Sequence, residues 1–275
     1  MKFDQPAGEN PIDRQTVVGQ PVDRIDGPLK TAGQARYAYE QHDVAAGQLY
    51  GVIVGAAIGH GRLLDINTEG ARSAPGVVAV LTARNAGSLG KGEFYAATAL
   101  VSDAVSHYHQ AVAVVVASTF EQARSAAHLV HPRYERVRGA FDLSSAVFPE
   151  EPPANSPDVH IGDFDAAFAA SAVTVDEIYQ TPDQSHAMIE PHATVATWND
   201  GKLTIWTAIQ IVSWGMRDLS KIFGIPQSDI RIISPYIGGG FGGKASVLSD
   251  AVLAAAASRL CGRPVKITLE RNLMF

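Results

Sequence analysis

The chain has 275 residues, 46% apolar and 18% charged, with a net charge of −6. That profile fits a globular protein long enough for two domains. It offers no basic stripe for nucleic acid and no apolar run near the roughly 20 residues of a membrane span.

Residues 1–23 are polar and contain prolines, which predicts an extended arm. Met1-Lys2-Phe3-Asp4-Gln5-Pro6 lacks an apolar signal core and a twin-arginine pair. The chain is therefore not expected to export itself. That predicts a cytoplasmic location, or a periplasmic one reached by co-export with a signal-bearing partner subunit.

A first domain is expected over 24–147. Leu49–Ile58 and Val77–Thr82 have strand character, with a short helix about Thr68–Ser73 between them. Ala111–Ala117 is Val-rich without a break, as a strand buried on both faces would be. Thr119-Phe120-Glu121-Gln122 supplies a capping box for a helix running to about Val130. Two histidine pairs lie in this half. His107 and His109 would share one side of a strand, and His128 and His131 would lie one helical turn apart. Neither pair has carboxylates or cysteines at a recurring ligand spacing, so solvated or core roles suffice for them.

Phe148-Pro149-Glu150-Glu151-Pro152-Pro153-Ala154-Asn155-Ser156-Pro157 denies both helix and central strand, and a linker is assigned to 148–160. A second domain is expected over 161–275. Val173–Gln180 alternates as a strand, and Ala193–Trp198 and Lys202–Thr207 flank Asn199-Asp200-Gly201 as a hairpin. Val212–Phe223 reads as a helix stopped by Gly224 and Pro226. Ile230–Ile233 is a strand, Leu248–Leu260 a helix and Pro264–Leu269 a further strand. The sole cysteine, Cys261, near the end of that helix, can form neither an internal disulfide nor an iron–sulfur site. The chain stops directly after a strand, so the second domain is expected to be incomplete.

Between strand and helix lies Gly238-Gly239-Gly240-Phe241-Gly242-Gly243-Lys244. Glycines this dense permit φ > 0 and let a ligand approach the main chain, and amides in such a turn can cradle phosphate. Gly238, Gly240 and Gly243 fit a dinucleotide fingerprint with Glu270 as the ribose acid, but Glu270 lies farther on than the roughly 20 residues expected. Gly238, Gly243 and Lys244 fit most of a P-loop, yet Ala245 replaces the hydroxyl that would ligate Mg²⁺. A glycine turn without a ligand also stays open. Glu190-Pro191-His192 holds an acid and an imidazole around a fixed backbone, with structural positioning as the simpler role. Gln210 follows the strand Lys202–Thr207, where ligand sites gather, and its amide can both donate and accept.

In order along the chain, these motifs resemble the molybdenum hydroxylases, the xanthine dehydrogenase and aldehyde oxidase family. The similarity covers nearly all of the sequence. Arg24-Ile25-Asp26-Gly27 with Gly33-Gln34-Ala35-Arg36-Tyr37, Ala74-Pro75-Gly76-Val77 and Ala111–Ala117 are similar to stretches of that family's α/β hammerhead domain. Glu190-Pro191-His192, Thr207-Ala208-Ile209-Gln210 and Gly238–Lys244 resemble the opening of its molybdopterin-binding region. Residues 1–39 are especially similar to the large subunit of bacterial periplasmic aldehyde oxidoreductases.

The resemblance implies an α+β architecture, a hammerhead domain followed by a truncated molybdopterin-binding α/β domain. It implies that Gly240, Phe241 and Gly242 offer main-chain amides to the molybdenum ligands and pterin, and that Gln210 hydrogen-bonds the apical oxo group without ligating the metal. Ala245 stands where purine-oxidising relatives carry a glutamate, which favours aldehydes. The implied activity is oxidation of aldehydes to carboxylic acids with water as the oxygen source. The implied cofactor is molybdenum–molybdopterin cytosine dinucleotide, with 2Fe-2S clusters and FAD on an iron–sulfur subunit and an FAD subunit. The family's general-base glutamate is expected beyond Phe275, so no catalytic residue is assigned here and this segment alone is expected to be inactive. Two other readings remain open on the sequence: a nucleotide-binding oxidoreductase or NTPase using Gly238–Lys244, and a non-catalytic subunit-docking module.

Overall fold

The computed structural model describes residues 8, 10, 14–93, 98–143 and 159–274. The proline-rich stretch 148–157 and the first residues of the arm lie outside them. Residues 14–25 are exposed and carry no long helix or strand.

In chain order the first elements are helix α1 (Gly27–Thr31), strands β1 (Leu49–Gly55) and β2 (Gly61–Asn67), helix α2 (Glu69–Arg72) and strands β3 (Val77–Thr82), β4 (Ala104–Val105) and β5 (Ala111–Ala117). Helix α3 (Phe120–Ala127), strand β6 (His131–Arg136) and helix α4 (Phe164–Ala170) follow. The last elements are strands β7 (Ala193–Asn199) and β8 (Lys202–Thr207), helix α5 (Val212–Phe223), strand β9 (Ile230–Ile233), helix α6 (Ser249–Cys261) and strand β10 (Val265–Thr268).

Seven strands form one sheet in the order β3-β5-β1-β10-β7-β8-β9, and β4-β2-β6 form a smaller one. The large sheet joins the two halves of the sequence where β1 runs parallel to β10, with Leu49 opposite Val265. β10 and β8 are each antiparallel to β7, and β8 is parallel to β9. In β5, Val114 and Val116 enter the main core with the alanine face of α6, while Ala113 and Val115 enter a second core with Ala126 and Val130. Burial on both faces is why this strand reads as an unbroken apolar run. Helix α6 is buried from Asp250 to Ser258, and its small alanines let it lie close against the sheet.

Local signals are realised where their chemistry is local. Asp200 and Gly201 both have φ > 0 (49° and 76°) between β7 and β8, as a two-residue hairpin turn requires. Thr119 Oγ1 accepts from the Gln122 amide at 3.2 Å, and Gln122 Oε1 accepts from the Thr119 amide at 3.2 Å, which completes the capping box of α3. Gly224 caps α5 in the left-handed region.

Three expectations differ, and one strand pair has no counterpart in the sequence reading. Val173–Gln180 is not a strand; Val173 and Ile178 are exposed, and no neighbouring strand among the described residues pairs with it. β2 and β6, hidden by Arg62, Asp65 and the polar run His131–Arg136, pair with each other. His107 and His109 lie in a turn before β5, where their Nδ1 atoms meet the carbonyls of Tyr108 and Asn272, so they share no strand face. His128 caps α3 while His131 opens β6, so the one-turn spacing is lost.

Candidate functional site

Two parallel strands bring the site together. β8 ends at Thr207 and leads through Ala208 and Ile209 to Gln210, while β9 ends at Ile233 beside it. Ser234 Oγ ties the two exits, accepting from the Ile209 amide at 3.1 Å and donating to the Ile209 carbonyl at 2.9 Å. Ligand sites in such sheets collect outside the carboxyl ends of the strands, and the glycine run emerges there.

Gln210 and the glycine loop are in direct contact. The Gln210 amide donates to the Lys244 carbonyl at 2.8 Å. Its side chain lies over Gly240, where a Cβ would come within 2.4 Å of Oε1. Gly239, Phe241 and Gly242 take φ of 95°, 52° and 91°, in the left-handed region that glycine favours. The amides of Gly240, Phe241 and Gly242 find no acceptor among the described residues, nor does the exposed Gln210 side chain find a partner. Phe241 itself is 76% exposed. The loop thus offers adjacent main-chain donors next to a side-chain amide, a surface suited to an oxygen-rich or anionic group.

Beneath the loop lies an ion pair that sequence reasoning left unassigned. Lys244 is fully buried, and its Nζ reaches Glu190 Oε2 at 2.7 Å and the Glu190 carbonyl at 2.9 Å. The same Oε2 accepts from the Gly238 amide at 2.6 Å. Lys244 therefore holds an internal carboxylate rather than a phosphate. This removes the P-loop reading.

The dinucleotide reading also fails. β9 and β10 are not neighbours, since β7 and β8 stand between them, and residues 245–248 separate the glycine loop from α6. Glu270 faces another groove, with Arg124 at 3.8 Å.

A cavity of about 640 Å³ opens beside the loop, lined by Gly242, Gly243, Ala245, Met188, Leu248 and Met274 together with His186 and His192. Ala245 is thus in the cavity wall. His192 is buried, and burial lowers its pKa below the ordinary imidazole value, against the pull of Asp250. Asp250 accepts from Thr194 Oγ1 at 2.7 Å, and Thr194 meets Thr207 at 2.6 Å. His192 in the cavity wall thus has a hydrogen-bonded polar network of Asp250, Thr194 and Thr207 nearby. Cys261 is half-buried at the far end of α6, its thiol pKa raised by burial. No group of three or more potential metal ligands occurs among the described residues, and no helix there is long and apolar enough to cross a membrane.

Residues 33–138 match the family model described as aldehyde oxidase and xanthine dehydrogenase, a/b hammerhead domain, and residues 147–275 match the molybdopterin cofactor-binding domain. The chain is 56% identical, over 98% of its length, to the aldehyde oxidoreductase molybdenum-binding subunit PaoC of Escherichia coli strain K12, of which it covers 37%. Among solved structures it is similar to reconstituted CO dehydrogenase from Oligotropha carboxidovorans, with a TM-score of 0.79 and 28% identity. That match covers 93% of this chain and 35% of the other. It is also similar to the aldehyde oxidoreductase from Desulfovibrio gigas, with a TM-score of 0.75 and 25% identity over 90% of this chain and 30% of the other. The chain spans little more than a third of the length of the curated relatives that head the comparison.

Proposed function

The chain belongs to the aldehyde oxidase and xanthine dehydrogenase family, and from that premise we propose that it forms part of the molybdenum-binding subunit of an aldehyde oxidoreductase. The reaction is oxidation of an aldehyde to a carboxylic acid, with water supplying the oxygen. The observation that carries this reading is the row of unpartnered amides at Gly240, Phe241 and Gly242 beside the Gln210 side chain. Such donors fit the oxygen-rich surroundings of a molybdopterin.

When bound, the molybdenum cofactor, in its cytosine dinucleotide form, supplies the redox chemistry. The work of this chain is to bind and orient. Gly240, Phe241 and Gly242 donate main-chain hydrogen bonds to the cofactor, and Gln210 donates its side-chain amide to an oxygen held near it. Preset donors of this kind need no reorganisation as charge develops. Ala245, with Met188 and Leu248, gives the substrate an apolar wall, suited to an aldehyde rather than to the ring nitrogens of a purine. The partners that would take up the electrons are an iron–sulfur subunit carrying 2Fe-2S clusters and an FAD subunit. The general base comes from a part of the family's polypeptide that this chain does not span.

The test is made on the full-length subunit assembled with its partners. Metal analysis of the purified complex should find molybdenum, and kcat/KM should favour benzaldehyde over hypoxanthine. A preference for hypoxanthine refutes the substrate assignment, and a complex that functions without molybdenum refutes the whole reading.

A further inference from the structure

We propose that the buried Glu190–Lys244 pair is a lock that fixes the conformation of the loop carrying the Gly240, Phe241 and Gly242 amides, making both residues positioning residues for the cofactor. The proposal rests on the molybdopterin reading of the loop. One carboxylate oxygen, Glu190 Oε2, grips both ends of that loop, accepting from the Gly238 amide at 2.6 Å and from Lys244 Nζ at 2.7 Å. A main-chain contact from the Glu190 amide to the Gly238 carbonyl at 3.2 Å and the bond from Lys244 Nζ to the Glu190 carbonyl complete the closure.

Stability does not explain this arrangement. Removing an ammonium and a carboxylate from water costs much of what their attraction returns, and an apolar pair of similar volume usually serves the fold as well. An apolar pair could not accept from Gly238, however. The loop also needs an outside constraint, because Phe241 is a non-glycine residue held at φ 52° with its ring largely in solvent. Packing does not impose that conformation, and strained backbone persists only where its surroundings over-determine it. The Glu190–Lys244 closure supplies such a constraint. The second oxygen, Glu190 Oε1, is buried without a partner among the described residues, so the side chain serves the loop through Oε2 alone.

The experiment compares E190Q, E190A, K244M and E190A/K244M in the full-length subunit within its complex, with hydrogen exchange and molybdenum content as readouts. The reporting amides are Gly243, which donates to the Gly240 carbonyl, and Gln210, which donates to the Lys244 carbonyl, both at 2.8 Å. Their acceptors are main-chain atoms that the substitutions leave in place. In E190A and K244M these amides should exchange at least about tenfold faster while the β7–β8 ladder stays protected, and molybdenum content should fall several-fold. E190Q keeps an acceptor for Gly238 and should recover part of both. The double variant strands no charge and should be no worse than the worse single one.

Wild-type exchange at Gly243 and Gln210 overturns the lock, and so does full molybdenum content in a loosened loop. Loss of protection throughout β7 and β8 even in E190Q would make the pair a piece of the folding core and overturn it as well. A wild-type complex that carries no molybdenum sinks the molybdopterin reading instead. The exchange arm would still judge the lock on that protein.

Discussion

Gly240→Ala should separate the site from the fold. A Cβ at this position would lie 2.4 Å from Gln210 Oε1 and 2.9 Å from its Cδ. Both atoms belong to an exposed side chain that makes no hydrogen bond among the described residues, so it can swing aside. Gly240 is also not in the left-handed region, and alanine fits its backbone. Forcing a new rotamer on Gln210 costs about 0.5–1.5 kcal/mol, and the loss of glycine's freedom in the unfolded chain returns about 0.4–1 kcal/mol. The net change is about 1 kcal/mol or less, a shift in Tm of roughly 2–4 °C at this size.

Gly61→Ala provides the contrast. There the Cβ would sit 2.1 Å from the Glu135 carbonyl of the paired strand, at φ 145°. Main chain cannot swing aside, so a loss of about 3 kcal/mol and roughly 6–12 °C is expected. The assay is thermal denaturation and metal content on both variants of the full-length subunit. Gly240→Ala should melt near wild type yet hold several-fold less molybdenum, because the methyl displaces the Gln210 amide and shields the donors next to it. Melting as low as Gly61→Ala, or molybdenum at the wild-type level, refutes the reasoning.

Gln210→Ala in the complete enzyme should lower kcat on aldehydes by roughly 10²–10³ if its hydrogen bond strengthens in the transition state, with Tm unchanged; an unaltered kcat excludes that role. Ala245→Glu should lower kcat/KM for benzaldehyde by tenfold or more, since it puts an unpaired carboxylate in the wall formed with Met188 and Leu248; equal or better turnover contradicts the assignment. Lys266 is buried under Tyr39 and His42, and burial pushes its pKa down to about 8. Between about pH 8 and 10.5 the unfolded chain binds more protons at this lysine than the folded one, so its contribution to stability rises with pH across that window. In denaturant titrations wild type should therefore gain stability relative to Lys266→Met as pH rises from 8 to 10, and parallel curves would show that the lysine is not desolvated.

The features legible in the sequence are those whose cause is local. The Asn199-Asp200-Gly201 turn, the Thr119–Gln122 capping box and the Gly224 stop each depend on a few consecutive residues. The glycine loop also announced an unusual backbone, but the dinucleotide fingerprint depends on strand adjacency, which only the sheet order decides. Lys244 invited a phosphate role because its partner, Glu190, lies far upstream, and a long-range pair leaves no periodic trace. β2 and β6 escaped notice because a small sheet with one wet face dilutes its apolar positions with Arg62, Asp65 and Arg133. Val173–Gln180 shows the converse: alternation alone makes no strand without a neighbour to pair with.

Sheet topology explains why such distant residues converge. β8 and β9 run parallel, so their carboxyl ends deliver Gln210 and the glycine loop to one edge. β7 is antiparallel to β8, so the segment entering β7, which carries Glu190 and His192, arrives at that same edge. β10 is antiparallel to β7, with Thr268 opposite Ala193, so its exit returns there too. Leu269 donates its amide to the His192 carbonyl at 2.9 Å, and Arg271 donates to the carbonyls of Met188 and Ile189. An all-parallel sheet would gather only exits at this edge. The reversed strand β7 adds an entry, and with it the buried carboxylate of Glu190. The exposed side of the loop at Phe241 and the buried Glu190–Lys244 pair then do not compete for the same space.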